Sequence, residues 1–296
     1  MHGTSASPQR LNAAQRSAHI REVVLAKGVE LRQRYPILKH QDALGAGILA
    51  FALAGMIGCA ALYITGHMAW WACLLLNAFF ASLTHELEHD LIHSMYFRKQ
   101  RVPHNLMMGL VWLARPSTIN PWIRRHLHLN HHKVSGSETD MEERAITNGE
   151  PWGLARLLMV GDNVMSAFIR MLRAKTWAHK FSIIKRTLKV YAPLALVHWG
   201  AWYVFLGFHA ANGIAYLVGT PIEWSATTLS VMNVIDIAAV VIIGPNVLRT
   251  FCLHFISSNM HYYGDIEPGN VMQQCQVLNA WWLWPLQAFC FNFGSS

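Results

Sequence analysis

The sequence predicts an all-α integral membrane protein: four transmembrane helices in two hairpins, with a cytoplasmic helical cap that carries clustered histidines. Three observations lead there. Only 14% of the 296 residues are charged, against roughly a quarter in an ordinary soluble domain. The missing charge is concentrated in long apolar runs. All 24 lysines and arginines fall in segments that four spans would place on one side.

The first run, Ala43 to Thr84, has no Lys, Arg, Asp or Glu. At about 20 residues per crossing of a roughly 30 Å hydrocarbon core, it accommodates two spans. These are expected at about 43–63 and 68–84, turning at Thr65–His67. A second hairpin is expected from 190–208 and 229–247, although Asp236 lies inside the latter. Basic residues occur before the first run, between Arg98 and Lys189, and at Arg249; the second opposite loop contains only Glu223. The positive-inside rule makes the basic side cytoplasmic, with both termini there. The formal charge of +8 thus belongs to a membrane-facing surface. Nucleic-acid binding is not expected, because no reader motif accompanies the basic residues.

Residues 1–42 read as a cytoplasmic amphipathic segment resting on the inner surface, and no cleavable signal peptide is expected in this polar lead. Residues 43–296 form the main domain. "LMMGLVWLA" (Leu106–Ala114) is too short to cross and is expected to dip into or lie on the membrane, with Met107, Met108 and Trp112 near the interface. The aromatic "LNAWWLWPLQAFCFNF" suits the interface, and Pro285 argues against a fifth span. Five scattered cysteines without a C-x-x-C pair suggest neither a disulfide framework nor a zinc ribbon.

The 17 histidines are unevenly spread. "HELEHDLIH" places His85, His89 and His93 every four residues, a spacing that drifts only about 40° per step on a helix. "HLNHH" adds His128, His131 and His132, and "HFISSNMHYYGD" contributes His254, Asn259 and His261 after the last span. His19, His40, His67, His104, His179, His198 and His209 read as ordinary. Neutral imidazole suits Fe, Zn and Cu, and one zinc site takes only three or four ligands. So many converging imidazoles point to two metal ions. Glu86, Glu88, Asp90, Asp140, Glu142 and Asp265 are candidates for orienting imidazole N–H groups. H-E-x-x-H alone is also the zinc-peptidase signature, with Glu86 as base. That reading leaves H-x-x-H-H, His93 and His261 without a role.

These motifs resemble the membrane fatty acid desaturase and hydroxylase superfamily, in its bacterial form, from His85 to near the end of the sequence. His85 and His89 match its first histidine box. His128, His131 and His132 match its second, and the following "KVSGSETDMEER" resembles the acidic segment of bacterial members. "NMHYYGD" resembles the additional ligand region, with Asn259 and His261. The resemblance implies a non-haem diiron centre, O2 as co-substrate, and a lipid or fatty acyl substrate that loses hydrogen from adjacent carbons to give a double bond. The alternatives are a related fatty acid or alkane hydroxylase, or a terminal-alkene-forming decarboxylase. Electrons are expected from a separate ferredoxin- or cytochrome-type donor on the basic face, and the bacterial inner membrane is the expected location. Family members carry a third box, H/Q-x-x-H-H; no histidine follows His261 here, so a C-terminally incomplete and inactive form is expected.

Overall fold

The computed structural model describes residues 12–261, 275–291 and 293–295, and every regular element among them is helical. The chain falls into two compact units, 1–46 and 47–296.

In the first unit, α1 (Ala13–Arg34) starts from a reciprocal cap, in which Asn12 and Gln15 each accept the other's backbone N–H. Such a cap satisfies donors that the first turn would otherwise leave free. Ile20, Val23, Val24 and Leu31 share one side of α1, whereas Leu25 and Val29 lie opposite, so its apolar side chains are divided between faces. A short 3-10 turn, Pro36–Lys39, leads into α2 (Gln41–Ile64).

The second unit is built on α3 (Trp70–Ile92) and α12 (Gly244–Met260), which pack along one another. Between them in sequence come α4 (Arg101–Ala114), α5 (Pro121–Val134), α6 (Met141–Arg144), α7 (Leu154–Gly161), α8 (Asn163–Arg173), α9 (Trp177–Tyr191), α10 (Leu194–Leu217) and α11 (Ala226–Ala238). The single turn α13 (Trp284–Gln287) comes near the end.

Among the described residues, three stretches are long and apolar enough to cross a membrane: Gln41–Ile64, Leu194–Leu217 and Ala226–Met260. The last is α11 and α12 joined through a π-helical turn, Ala239–Ile243. Pro245 explains the turn. A proline lacks the N–H and its ring clashes with the carbonyl four residues back. Val241 O is accordingly released, and the buried Asn77 of α3 donates to it at 2.8 Å. Gly244 is required beside it, since a Cβ there would sit 2.6 Å from Ala239 O and 3.1 Å from Leu74 Cδ1.

The expected second span, 68–84, is the first part of α3, which runs on without a break through the first histidine motif and is not among the three apolar stretches. In the short apolar stretch Leu106–Ala114, Met107, Met108 and Val111 are buried in a protein core with Leu87, Leu91 and Ile92 of α3, and Leu106 and Leu113 stay exposed. The described residues of the aromatic tail form only short turns, around which Trp281, Trp282 and Trp284 are exposed.

Candidate metal centre

α3 carries the first histidine motif on its last two turns, and His93 ends the helix. α5 carries the second. Asn120 caps α5 by accepting from Trp122 N and Ile123 N, and Pro121 occupies the first turn, where its missing donor costs nothing. Residues four apart share a helix face. His89 and His93 of α3 therefore meet His128 and His132 of α5.

The four imidazoles each offer a nitrogen within 4.8 Å of the others. His128 Nε2 lies 3.2 Å from His93 Nε2 and 3.0 Å from His132 Nε2, and the His93–His132 distance is 3.2 Å. Nitrogens bound at about 2.0–2.1 Å to one tetrahedral ion stand about 3.3 Å apart. The donor set thus fits a metal ion held by His89, His93, His128 and His132. Crowding favours the neutral form of two of these rings: burial first, and then the charges of the neighbouring histidines, lowers the pKa of His132 to about 4 and depresses that of His93. Neutral imidazole is the form that ligates.

His131 lies on the same helix but about 60° round from His128. Its ring stands 5.2 Å from that of His261 at the end of α12. This second pair adjoins the four-histidine cluster, with the rings of His131 and His132 5.8 Å apart.

α6 and the residue before it orient three of these rings. Nδ1–H of His128 donates to Glu142 at 2.9 Å, and Nδ1–H of His131 donates to Asp140 at 2.9 Å. His261 Nδ1–H donates to Ser257 O at 3.0 Å and lies 3.4 Å from Glu143. An ionised carboxylate can only accept, so each contact puts the proton on Nδ1 and leaves Nε2 for a metal. Burial opposes charge on Glu142, but hydrogen bonding from His128 and the Arg124 guanidinium hold its carboxyl at about 2. Burial likewise opposes protonation of His131 and His261. The bond to Asp140 raises the first regardless, and the charge of Glu143 carries the second to about 9.

His85 goes elsewhere. Two helical steps of drift, about 80°, turn it from His93 toward Arg115, whose Nη1 is 3.1 Å from His85 Nδ1, and Arg124, at 3.4 Å. Burial, then these guanidiniums, depress its pKa. Both arginines also bind the buried Glu88, Arg124 at 2.6 Å. Arg124 Nε continues to Glu142 at 3.2 Å. A polar chain therefore runs Arg115–Glu88–Arg124–Glu142–His128, from one histidine helix to the other.

Of the acids expected to orient imidazoles, Asp140 and Glu142 do so. Glu88 instead holds the two arginines, and Asp90 accepts from Tyr96 Oη at 2.8 Å while lying 3.9 Å from His89. No described imidazole hydrogen-bonds to Glu86, and Asp265 lies outside the described residues. The structure does not bring Asn259 to the cluster: its amide donates back to Phe255 O at 2.6 Å. Sequence reasoning missed Glu143, Arg115 and Arg124. The run "DMEER" was the available signal for Glu143, since consecutive acids in one short turn can serve different rings.

A family model described as fatty acid desaturase matches residues 65–294, a stretch that contains every one of these side chains. Neither the search of curated proteins nor that of solved structures returned a match.

Proposed function

The chain belongs to the fatty acid desaturase family, and from that premise we propose that it is an integral membrane, O2-dependent diiron enzyme that introduces a double bond into a fatty acyl chain. The observation that carries the proposal is the imidazole cluster of α3 and α5, in which His128, with His131 and His261 beside it, faces carboxylates of one short acidic segment. Four imidazoles around one point, with His131 and His261 adjoining, exceed the ligand set of a zinc peptidase.

In this reading His89, His93, His128 and His132 would hold one iron, and His131 and His261 would serve the second. With O2 and two electrons from an external donor, bound iron supplies the redox chemistry that removes hydrogen from an unactivated C–H bond. Glu142, Asp140 and Glu143 keep protons on Nδ1 of His128, His131 and His261 and hold the rings in place. The buried Glu88 fixes Arg115 and Arg124 beside them, so α3 and α5 cannot slide without breaking ion pairs. Breaking such a buried pair costs about 3–5 kcal/mol.

In this reading the first part of α3 is a fourth span, and the histidines lie at the cytoplasmic edge of a bacterial inner membrane with both termini inside; three stretches long and apolar enough to cross support it. The acyl chain enters from the bilayer, and a ferredoxin- or cytochrome-type donor approaches the basic face.

Expression of the full chain in a host of known lipid composition, followed by gas chromatography–mass spectrometry of its acyl chains, tests the proposal. Any new product is expected to be a double bond and to disappear with His128→Ala. A hydroxylated chain or a terminal alkene would move the assignment to the sister reactions. Purified protein holding one zinc and negligible iron would overturn the diiron reading.

A further inference from the structure

In sequence α9 lies between the site helices and the apolar α10, and one face of it has no occupant among the described residues. Trp177, Phe181, Ile184 and Leu188 recur at spacings of four, three and four, which places them within about 60° of arc. All four are exposed: Trp177 at 77%, Phe181 at 69%, Ile184 at 41% and Leu188 at 50%. Four large apolar side chains in line on one exposed helix face require a partner.

The charges beside the stripe identify it. Lys185 and Lys189 lie next to the stripe on its open side, both exposed, with Arg186 further round. Lys180 borders the other side, and its Nζ stands 4.9 Å from the Trp177 ring centroid. Among the described residues of α9 there is no Asp or Glu. An apolar stripe bordered by lysines, with tryptophan at one end, is what a helix lying in an anionic headgroup layer needs: rings and aliphatic chains in the acyl boundary, ammonium groups at the phosphates.

Position points the same way. Only Ala192 and Pro193 separate the end of α9 from the apolar α10, so α9 ends where α10 begins its apolar run. At its other face α9 is tied to the site, for Asn120 N, at the cap of the second-box helix, donates to Val190 O at 2.9 Å.

We propose that α9 is an interfacial anchor that binds anionic phospholipid, with Trp177, Phe181, Ile184 and Leu188 in the acyl boundary and Lys180, Lys185 and Lys189 on lipid phosphates. It thereby fixes the height of the α5 histidines above the bilayer. The inference rests on α10 crossing the membrane, and the experiment separates the two.

Full-length protein with Cys275→Ser, the exposed native cysteine, receives a spin label at Ile184→Cys, Arg186→Cys or Val204→Cys. It is reconstituted into vesicles of phosphatidylcholine alone or with 30 mol% phosphatidylglycerol. Collision with dissolved O2 reports lipid, and collision with a water-soluble nickel chelate reports water. With phosphatidylglycerol, the label at 184 is expected to favour O2 and that at 186 nickel. Lys185→Glu/Lys189→Glu should return 184 toward water, since each lysine contributes about fivefold to attraction by anionic lipid. The label at 204, inside α10, is the control: lipid exposure there with free nickel access at 184 overturns the anchor alone, whereas water exposure at 204 overturns the membrane reading as well. Equal burial of 184 in both vesicles overturns the requirement for anionic lipid. Protection of 184 only after a ferredoxin- or cytochrome-type protein is added would make the stripe a protein-docking face and overturn the proposal.

Discussion

At the scale of single residues, the acidic turn after the second histidine motif distributes three carboxylates over three rings, and this gives each one a measurable share in metal retention. Glu142 touches His128 at 2.9 Å and Arg124 at 3.2 Å, so it both orients a ring and ends the polar chain that starts at Arg115. Glu142→Gln keeps the size but removes the charge, and its amide can present N–H to a ring nitrogen that is already a donor. Loss of a partner that orients a metal-bound histidine typically costs 10- to 100-fold in metal affinity. Glu142→Gln is therefore expected to lose iron about 10- to 100-fold more readily than the native chain, measured by elemental analysis across a chelator titration. Glu138→Gln, on the same loop but outside these contacts, should match the native protein. Equal iron retention in the two variants would show that the carboxylate does not hold the ring. The histidines themselves were legible from spacing alone. The divergence of His85 was not, because a drift of about 40° per four residues looks like a common face until a buried arginine pair takes one ring.

At the scale of elements, helix identity was more legible than helix extent. The run from Ala43 was read to within two residues at its start, because nothing polar interrupts α2. The third span was expected to end at 208, yet α10 continues to Leu217. Its polar residues find partners across the hairpin: His209 meets Asp236 at 2.8 Å, and Asn212 accepts from Trp224 at 2.8 Å. No window of sequence contains those pairings. The join of α11 to α12 was hidden for a similar reason, since Pro245 reads as a break and Asn77, some 160 positions earlier, absorbs its consequence. This junction is open to test through Gly244. Gly244→Ala would press a methyl group on Ala239 O and Leu74 where α3 and the π turn pack. Overpacking of this kind typically costs about 1–3 kcal/mol, so the variant is expected to unfold at lower temperature in detergent. Gly58→Ala, whose added Cβ meets nothing within 4 Å, should not. A Gly244→Ala protein as heat-resistant as Gly58→Ala would mean that the close approach is not maintained.

At the scale of the whole molecule, the question is which parts share a side of the bilayer, and the α10–α11 hairpin offers the test. The 24 residues of α10 extend about 36 Å, more than the roughly 30 Å of hydrocarbon, so the helix can reach from one interface to the other. The His209–Asp236 and Asn212–Trp224 contacts fold α11 back along it, and the loop bearing Glu223 becomes the tip. The opposite end of α10 follows α9, whose Val190 O accepts from Asn120 at the start of the second-box helix. Lys133, on the last turn of that helix, belongs to the same end as the histidines. All 24 lysines and arginines precede the first hairpin, lie between the two, or follow the turn at Pro245; none is in the loop with Glu223. Glu223→Cys and Lys133→Cys, each in a Cys275→Ser background, should therefore react with a membrane-impermeant maleimide from opposite faces of sealed inner-membrane vesicles. In vesicles whose cytoplasmic face is outward, Lys133→Cys should label at once and Glu223→Cys only after the membrane is opened with detergent. Labelling of both before opening would place the loop and the histidines on one side, and with them would go the crossing of α10 and the four-span arrangement.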